Sequence, residues 1–179
     1  MGDTLMHLRY SLKALVAALS LAGLLSASPA HALQVWSGRT FLFSKAANAN
    51  PTLAANQDRI TSLVWLTRGT TQGLYNIKSE ASYVHGVSPA GTEWSDGDAV
   101  NHGSLSFTNW EAWVGTHGGP PGTVGVNACV HLIADDIYID IVFDSWEAIS
   151  GGAFSYHRAV SGATPAEKTT WGAIKALYR

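Results

Sequence analysis

Cysteine is almost absent from this 179-residue chain, where Cys129 stands alone. One cysteine excludes an intramolecular disulfide and a cysteine-based zinc cluster. Because it falls inside an apolar run, a buried, inert thiol is expected rather than a nucleophile. Charge is also scarce: Lys and Arg number 11 against 13 Asp and Glu, a formal net charge of −2. That composition offers no basic surface for nucleic acid. Familiar catalytic signatures are missing too. There is no G-x-S-x-G elbow, H-E-x-x-H pair, Walker loop or dinucleotide fingerprint, and no acid pair that stands out for glycoside hydrolysis. A binding or structural role is therefore favoured over an enzyme, and no catalytic residue is assigned.

What is plentiful is glycine and aromatics: 18 Gly, 7 Trp, 6 Tyr and 5 Phe. Short apolar runs punctuated by Gly and Pro predict a mainly β protein. The expected architecture is a single antiparallel β-sandwich-like domain with long irregular loops and a short C-terminal helix. Strands are expected over 39–44, 60–67, 74–77, 104–107, 110–114 and 154–158. Residues 79–103 read as the longest irregular stretch, and long loops of that kind tend to carry function.

Residues 1–32 read as a secretory signal peptide. Arg9 and Lys13 form its basic region, Ala14 to Leu25 its apolar core, and Ala30-His31-Ala32 its cleavage motif. The domain proper is then 33–160, followed by a linker and tail helix over 161–179 with Trp171, Ile174 and Leu177 on one side. A secreted or cell-surface protein without a transmembrane span follows. Cleavage after Ala32 leaves Leu33 first. Cleavage after Ala30 would expose His31, whose amine and ring could chelate copper.

The organising stretch runs from Ala128 to Asp144. Ile137, Ile139, Ile141 and Phe143 alternate strictly with Tyr138, Asp140, Val142 and Asp144, the period of a half-buried strand. Asp135-Asp136 are good turn residues. A two-residue loop there would set His131 opposite Asp140, on the face away from the isoleucines. A carboxylate beside a histidine is the arrangement that orients an imidazole toward a metal.

Outside the leader five histidines remain: His85, His102, His117, His131 and His157. None is paired at helical or strand spacing, so a metal site would have to be assembled across the fold. His85 lies in the long loop two residues after Tyr83, and His131 in the hairpin. Two imidazoles with a weaker third ligand suit copper. His102, His117 and His157 read as surface residues. Asp96-Gly97-Asp98 with Glu93 suggests a calcium loop, but the full twelve-residue ligand pattern is missing.

Several strings carry a resemblance. They are Ala55-Asn56-Gln57-Asp58-Arg59-Ile60-Thr61, Val64-Trp65-Leu66-Thr67-Arg68-Gly69, Ser88 to Trp94, His131 to Asp140, and Gly152-Ala153-Phe154-Ser155-Tyr156. Over about residues 36–160 the chain resembles a secreted bacterial surface-protein domain. It is also similar to the copper-binding surface proteins of methane-oxidising bacteria, MopE and the copper-repressible CorA among them. In those proteins two histidines and a tryptophan oxidised to kynurenine hold the ion, the aromatic lying two residues before the first histidine.

The resemblance implies a copper ion, Cu(I) or Cu(II), on His85 and His131, with Tyr83 at the aromatic position and Asp140 behind His131. Tyrosine cannot become kynurenine, so that ligand would be lost and zinc becomes a competitor. A second register would instead place Trp65 at the aromatic position and Thr67 where the first histidine belongs. The expected role is copper capture or surface display. The alternative is an adhesion or structural module without metal, meeting a cell-surface component or glycan.

Overall fold

The computed structural model describes residues 32–71 and 73–162. The leader up to residue 31 and the tail from residue 163, both expected above, lie outside them. Among the described residues nine strands form two sheets. They are β1 (Gln34–Trp36), β2 (Phe41–Lys45), β3 (Asp58–Arg59), β4 (Trp65–Arg68), β5 (Leu74–Asn76), β6 (Thr92–Asp96), β7 (Ala128–Leu132), β8 (Ile137–Trp146) and β9 (Phe154–Arg158). The larger sheet runs β2-β9-β8-β7-β6, with β1 added in parallel to the start of β8; the smaller runs β3-β4-β5. The architecture is mainly β and sandwich-like, as the composition implies.

The β7–β8 hairpin is the centre of the larger sheet, but its turn has four residues, not two. Leu132 faces Ile137, His131 faces Tyr138, and Cys129 faces Asp140. Asp136 takes a left-handed φ of 52°, a conformation that Asp tolerates better than most residues. The expected register is displaced by two residues, so every side chain keeps its face but changes its cross-strand partner. His131 and Asp140 are not paired.

One face of this hairpin is core as expected. Val130, Leu132, Ile139 and Ile141 are fully buried, joined by Trp94 from β6 and Phe143. The other face is covered at its centre, while Tyr138 and Val142 stay half-buried and Asp144 exposed, as a half-exposed strand requires. Cys129 is 0% exposed and Asp140 is buried. Asp140 accepts backbone N–H bonds from Ala99 (2.6 Å) and Gly38 (3.0 Å). Its carboxylate thus ties two passing segments, the chain after β1 and the 3-10 turn Ala99–Ser104, onto the back of the sheet.

Four other expectations are corrected. Residues 110–114 are not a strand but begin helix α1 (Trp110–Thr116), whose N-cap Asn109 accepts the Ala112 N–H. Trp110, Trp113 and Val114 recur at i, i+3 and i+4 and are the buried residues of that helix, so the helical period overrides the aromatic preference for strands. Trp113 stacks on Trp94 at 5.5 Å, and Trp110 meets Trp94 edge-on at 4.8 Å. Residues 60–64 turn back on themselves through Ile60 N–H to Val64 O, so the strand expected over 60–67 survives only in β4, and β3 precedes it. Thr92–Asp96 is a strand inside the stretch read as irregular, recruited by pairing along all of β7. Residues 104–107 form no strand.

The two sheets are joined by a buried ion pair. Asp58 of β3 receives Arg158 Nε (2.7 Å) and Nη2 (2.8 Å) as well as the Tyr156 hydroxyl (2.6 Å) from β9. Every carboxylate oxygen of Asp58 is satisfied, the condition for burying a charge in a sandwich interior.

Candidate functional site

His131 is held on β7 with its ring parallel to Tyr138 at 4.0 Å and edge-on to Phe107 at 5.9 Å. Its neighbour in β6, Glu93, is also its register partner. Glu93 Oε1 lies 2.7 Å from His131 Nδ1. A carboxylate only accepts, so Nδ1 carries a proton, and Nε2 is left to present a lone pair to a metal or to hold a second proton. That Nε2 is buried and makes no hydrogen bond. Asp136 Oδ1 faces it at 3.4 Å.

Two acceptors at that separation repel unless a cation lies between them. The spacing also fits a metal, since two bonds of about 2.1 Å at a tetrahedral angle span about 3.4 Å. Glu93 takes the orienting role expected of Asp140. It was visible only as part of a possible calcium loop, and Asp136 only as a turn residue. Pairing along β6, which the sequence conceals, brings Glu93 to the ring.

His85 and Tyr83 occupy a different neighbourhood. The His85 ring is 89% exposed, with Nε2 3.8 Å from Glu111 Oε2 of α1. The Tyr83 hydroxyl donates to Glu111 Oε1 at 2.6 Å. Burial, followed by the Glu111 hydrogen bond and charge, pushes the Tyr83 phenol well above its usual range. A phenolate ligand is therefore disfavoured here. His85 meets Glu111 and Tyr83, whereas His131 meets Glu93, Asp136, Phe107 and Tyr138. Among the described residues, no group of three or more His, Cys, Asp and Glu converges to hold a metal ion.

The other histidines and the acidic loop are accounted for by pairing. His117 Nε2 and Trp113 Nε1 both reach Asp96 Oδ1, at 3.0 and 2.8 Å. Arg39 reaches Asp98 at 3.3 Å, so the acids of the suspected calcium loop serve protein partners. His157 pairs with Asp144 at 2.8 Å, and His102 packs on Tyr138 at 4.4 Å. Among the described residues no helix is long and apolar enough to cross a membrane. The chain matches no protein-family model, no curated protein and no solved structure.

Proposed function

We propose that this is a secreted copper-binding protein, for copper capture or surface display rather than catalysis, in which His131 Nε2 is the principal ligand atom. One observation carries the reading: a buried imidazole nitrogen without a hydrogen bond, its ring oriented by Glu93, faces the Asp136 carboxylate at 3.4 Å. Imidazole with carboxylate serves copper and zinc alike, so zinc competes. Two protein ligands leave positions for water or for a second imidazole, and His85 is the second imidazole named by the resemblance. Glu93 acts on the metal only through His131, by fixing its tautomer and angle.

The test is titration of the purified mature protein with copper and zinc, following bound metal by native mass spectrometry. One equivalent of copper is expected for the wild type and none for His131→Ala. Glu93→Gln should weaken binding about 10-fold or more while leaving the stoichiometry intact. Loss of binding in His85→Ala brings the second imidazole into the site, and full affinity there removes it. Stoichiometric copper retained by His131→Ala refutes the reading.

The second reading is an adhesion or structural module in which a proton, not a metal, lies between His131 and Asp136. The absence of a three-ligand group among the described residues favours it. No bound metal in the wild type would establish that reading in place of the first.

A further inference from the structure

His131 Nε2 and the Asp136 carboxylate are two donors, where a tetrahedral ion usually takes three or four from its protein. The backbone that passes them can supply another. Strand β1 runs parallel to the start of β8, with Gln34, Val35 and Trp36 in register with Ile137, Tyr138 and Ile139. The Gln34 N–H donates to the Asp136 carbonyl at 2.9 Å. Leu33 therefore stands beside Asp136, the residue whose Oδ1 faces His131 Nε2 at 3.4 Å. Neighbouring Cα atoms are about 3.8 Å apart, so the Leu33 nitrogen lies one short step along the chain from a bond to the turn.

This end of β1 is firmly held. Gln34 Oε1 accepts the Trp36 indole N–H at 3.2 Å, and Asp140 accepts the Gly38 N–H at 3.0 Å beyond the strand. Leu33 itself is 51% exposed, so β1 starts at the surface, where a chain end is accommodated. A donor fixed in this way loses little freedom when it binds. The neighbouring acids are engaged elsewhere. Asp135 Oδ2 accepts the Thr61 hydroxyl at 2.6 Å, and Glu93 Oε1 holds His131 Nδ1 at 2.7 Å.

We propose that removal of the leader completes the metal site: cleavage after Ala32 frees the Leu33 α-amine, which joins His131 Nε2 and Asp136 Oδ1 as the third ligand. The inference rests on the copper reading and on the cleavage motif Ala30-His31-Ala32. In the uncleaved chain the Leu33 nitrogen is an amide whose lone pair is delocalised into the Ala32 carbonyl, so it is no ligand. Hydrolysis by the export protease adds water across that bond. Ala32 leaves with a carboxylate, Leu33 keeps an amine, and the metal displaces the proton that the amine carries. An amine beside an imidazole suits copper, which heads the affinity series for nitrogen donors. Tight loading is then confined to protein that has been exported and processed.

The experiment begins with the intact mass of the exported protein, in which Leu33 is expected as first residue. That protein, its form acetylated on the α-amine, and His131→Ala are each titrated with copper. Native mass spectrometry reads stoichiometry and affinity, and electron paramagnetic resonance of Cu(II) counts the nitrogen donors. The free-amine form should bind one equivalent. Acetylation should weaken binding by at least the roughly 10–100-fold that loss of an outer partner costs, remove one nitrogen from the resonance, and leave the metal-free melting temperature unchanged. Equal affinity in the free and acetylated forms, with binding lost in His131→Ala, overturns the amine ligand and leaves the copper reading standing. Weaker binding with an unchanged nitrogen count also overturns it, the amine then acting through its charge alone. No copper in any form overturns both readings. A first residue other than Leu33 overturns the ligand assigned to it.

Discussion

At the scale of single residues, two carboxylates that look interchangeable in sequence do opposite work. Asp140 holds the backbone amides of Ala99 and Gly38, whereas Glu93 holds an imidazole. Asp140→Ala is expected to cost about 3 kcal/mol, because two amides lose a charged acceptor, and, under the proposed copper binding, to leave that affinity unchanged. Paired urea melts and metal titrations check both halves. Cys129 gives a second expectation. Burial, with smaller contributions from the Asp140 and Asp98 carboxylates, pushes its thiol up from 9.0 to about 12. Tyr156 is likewise raised, by burial first and then by Asp58. For a group of raised pKa the unfolded chain loses its proton first as pH climbs. Stability is thus fully present below the unfolded values and declines as pH rises from about 9 toward 12. Urea midpoints followed across that range should show the decline, and Cys129→Ala should make it shallower.

At the scale of elements, the sequence discloses those segments whose period is clean and local. The strict alternation from Ile137 to Phe143 locates β8, and Phe154–Arg158 alternates Phe, Tyr and Arg inward. Strand β6 was hidden because Thr92-Glu93-Trp94-Ser95-Asp96 holds one apolar side chain, and only pairing with β7 makes it a strand. Helix α1 was hidden differently. The two Trp and the Val suggest extended backbone by type, and the information against it is their i, i+3, i+4 spacing with the Asn109 cap and Glu111 in the first turn. Asn109→Ala should therefore destabilise the protein by about 1 kcal/mol. A lower thermal midpoint with an unaltered far-ultraviolet spectrum is the expected reading. The site followed the same logic: His131 was legible from its strand, but its partners depended on turn length and on an invisible neighbouring strand.

At the scale of the whole molecule, the sandwich depends on Asp58, which joins β3 of one sheet to β9 of the other. Asp58→Asn leaves Arg158, 6% exposed, without its counter-charge. Breaking a buried pair from one side costs about 3–5 kcal/mol, a large part of the roughly 5–15 kcal/mol that holds a domain together. The variant should melt far below the wild type, whereas an exposed pair such as Arg39–Asp98, at 3.3 Å, should contribute under about 1 kcal/mol when broken.

The same joint bears on the order of events during folding. Among the described residues, strand β2 pairs only with β9, Phe41 opposite Arg158, and β1 pairs only with β8. The first strands to emerge from a chain made or exported N-terminus first therefore find no neighbour until the last ones arrive. Closing such loops is slow, and domains dominated by distant pairings fold in milliseconds to seconds. Until then Phe41, Leu42 and the unpaired edge of β2 are open to other chains. A chain threaded across a membrane benefits from that delay, because it stays extended until its far end is through.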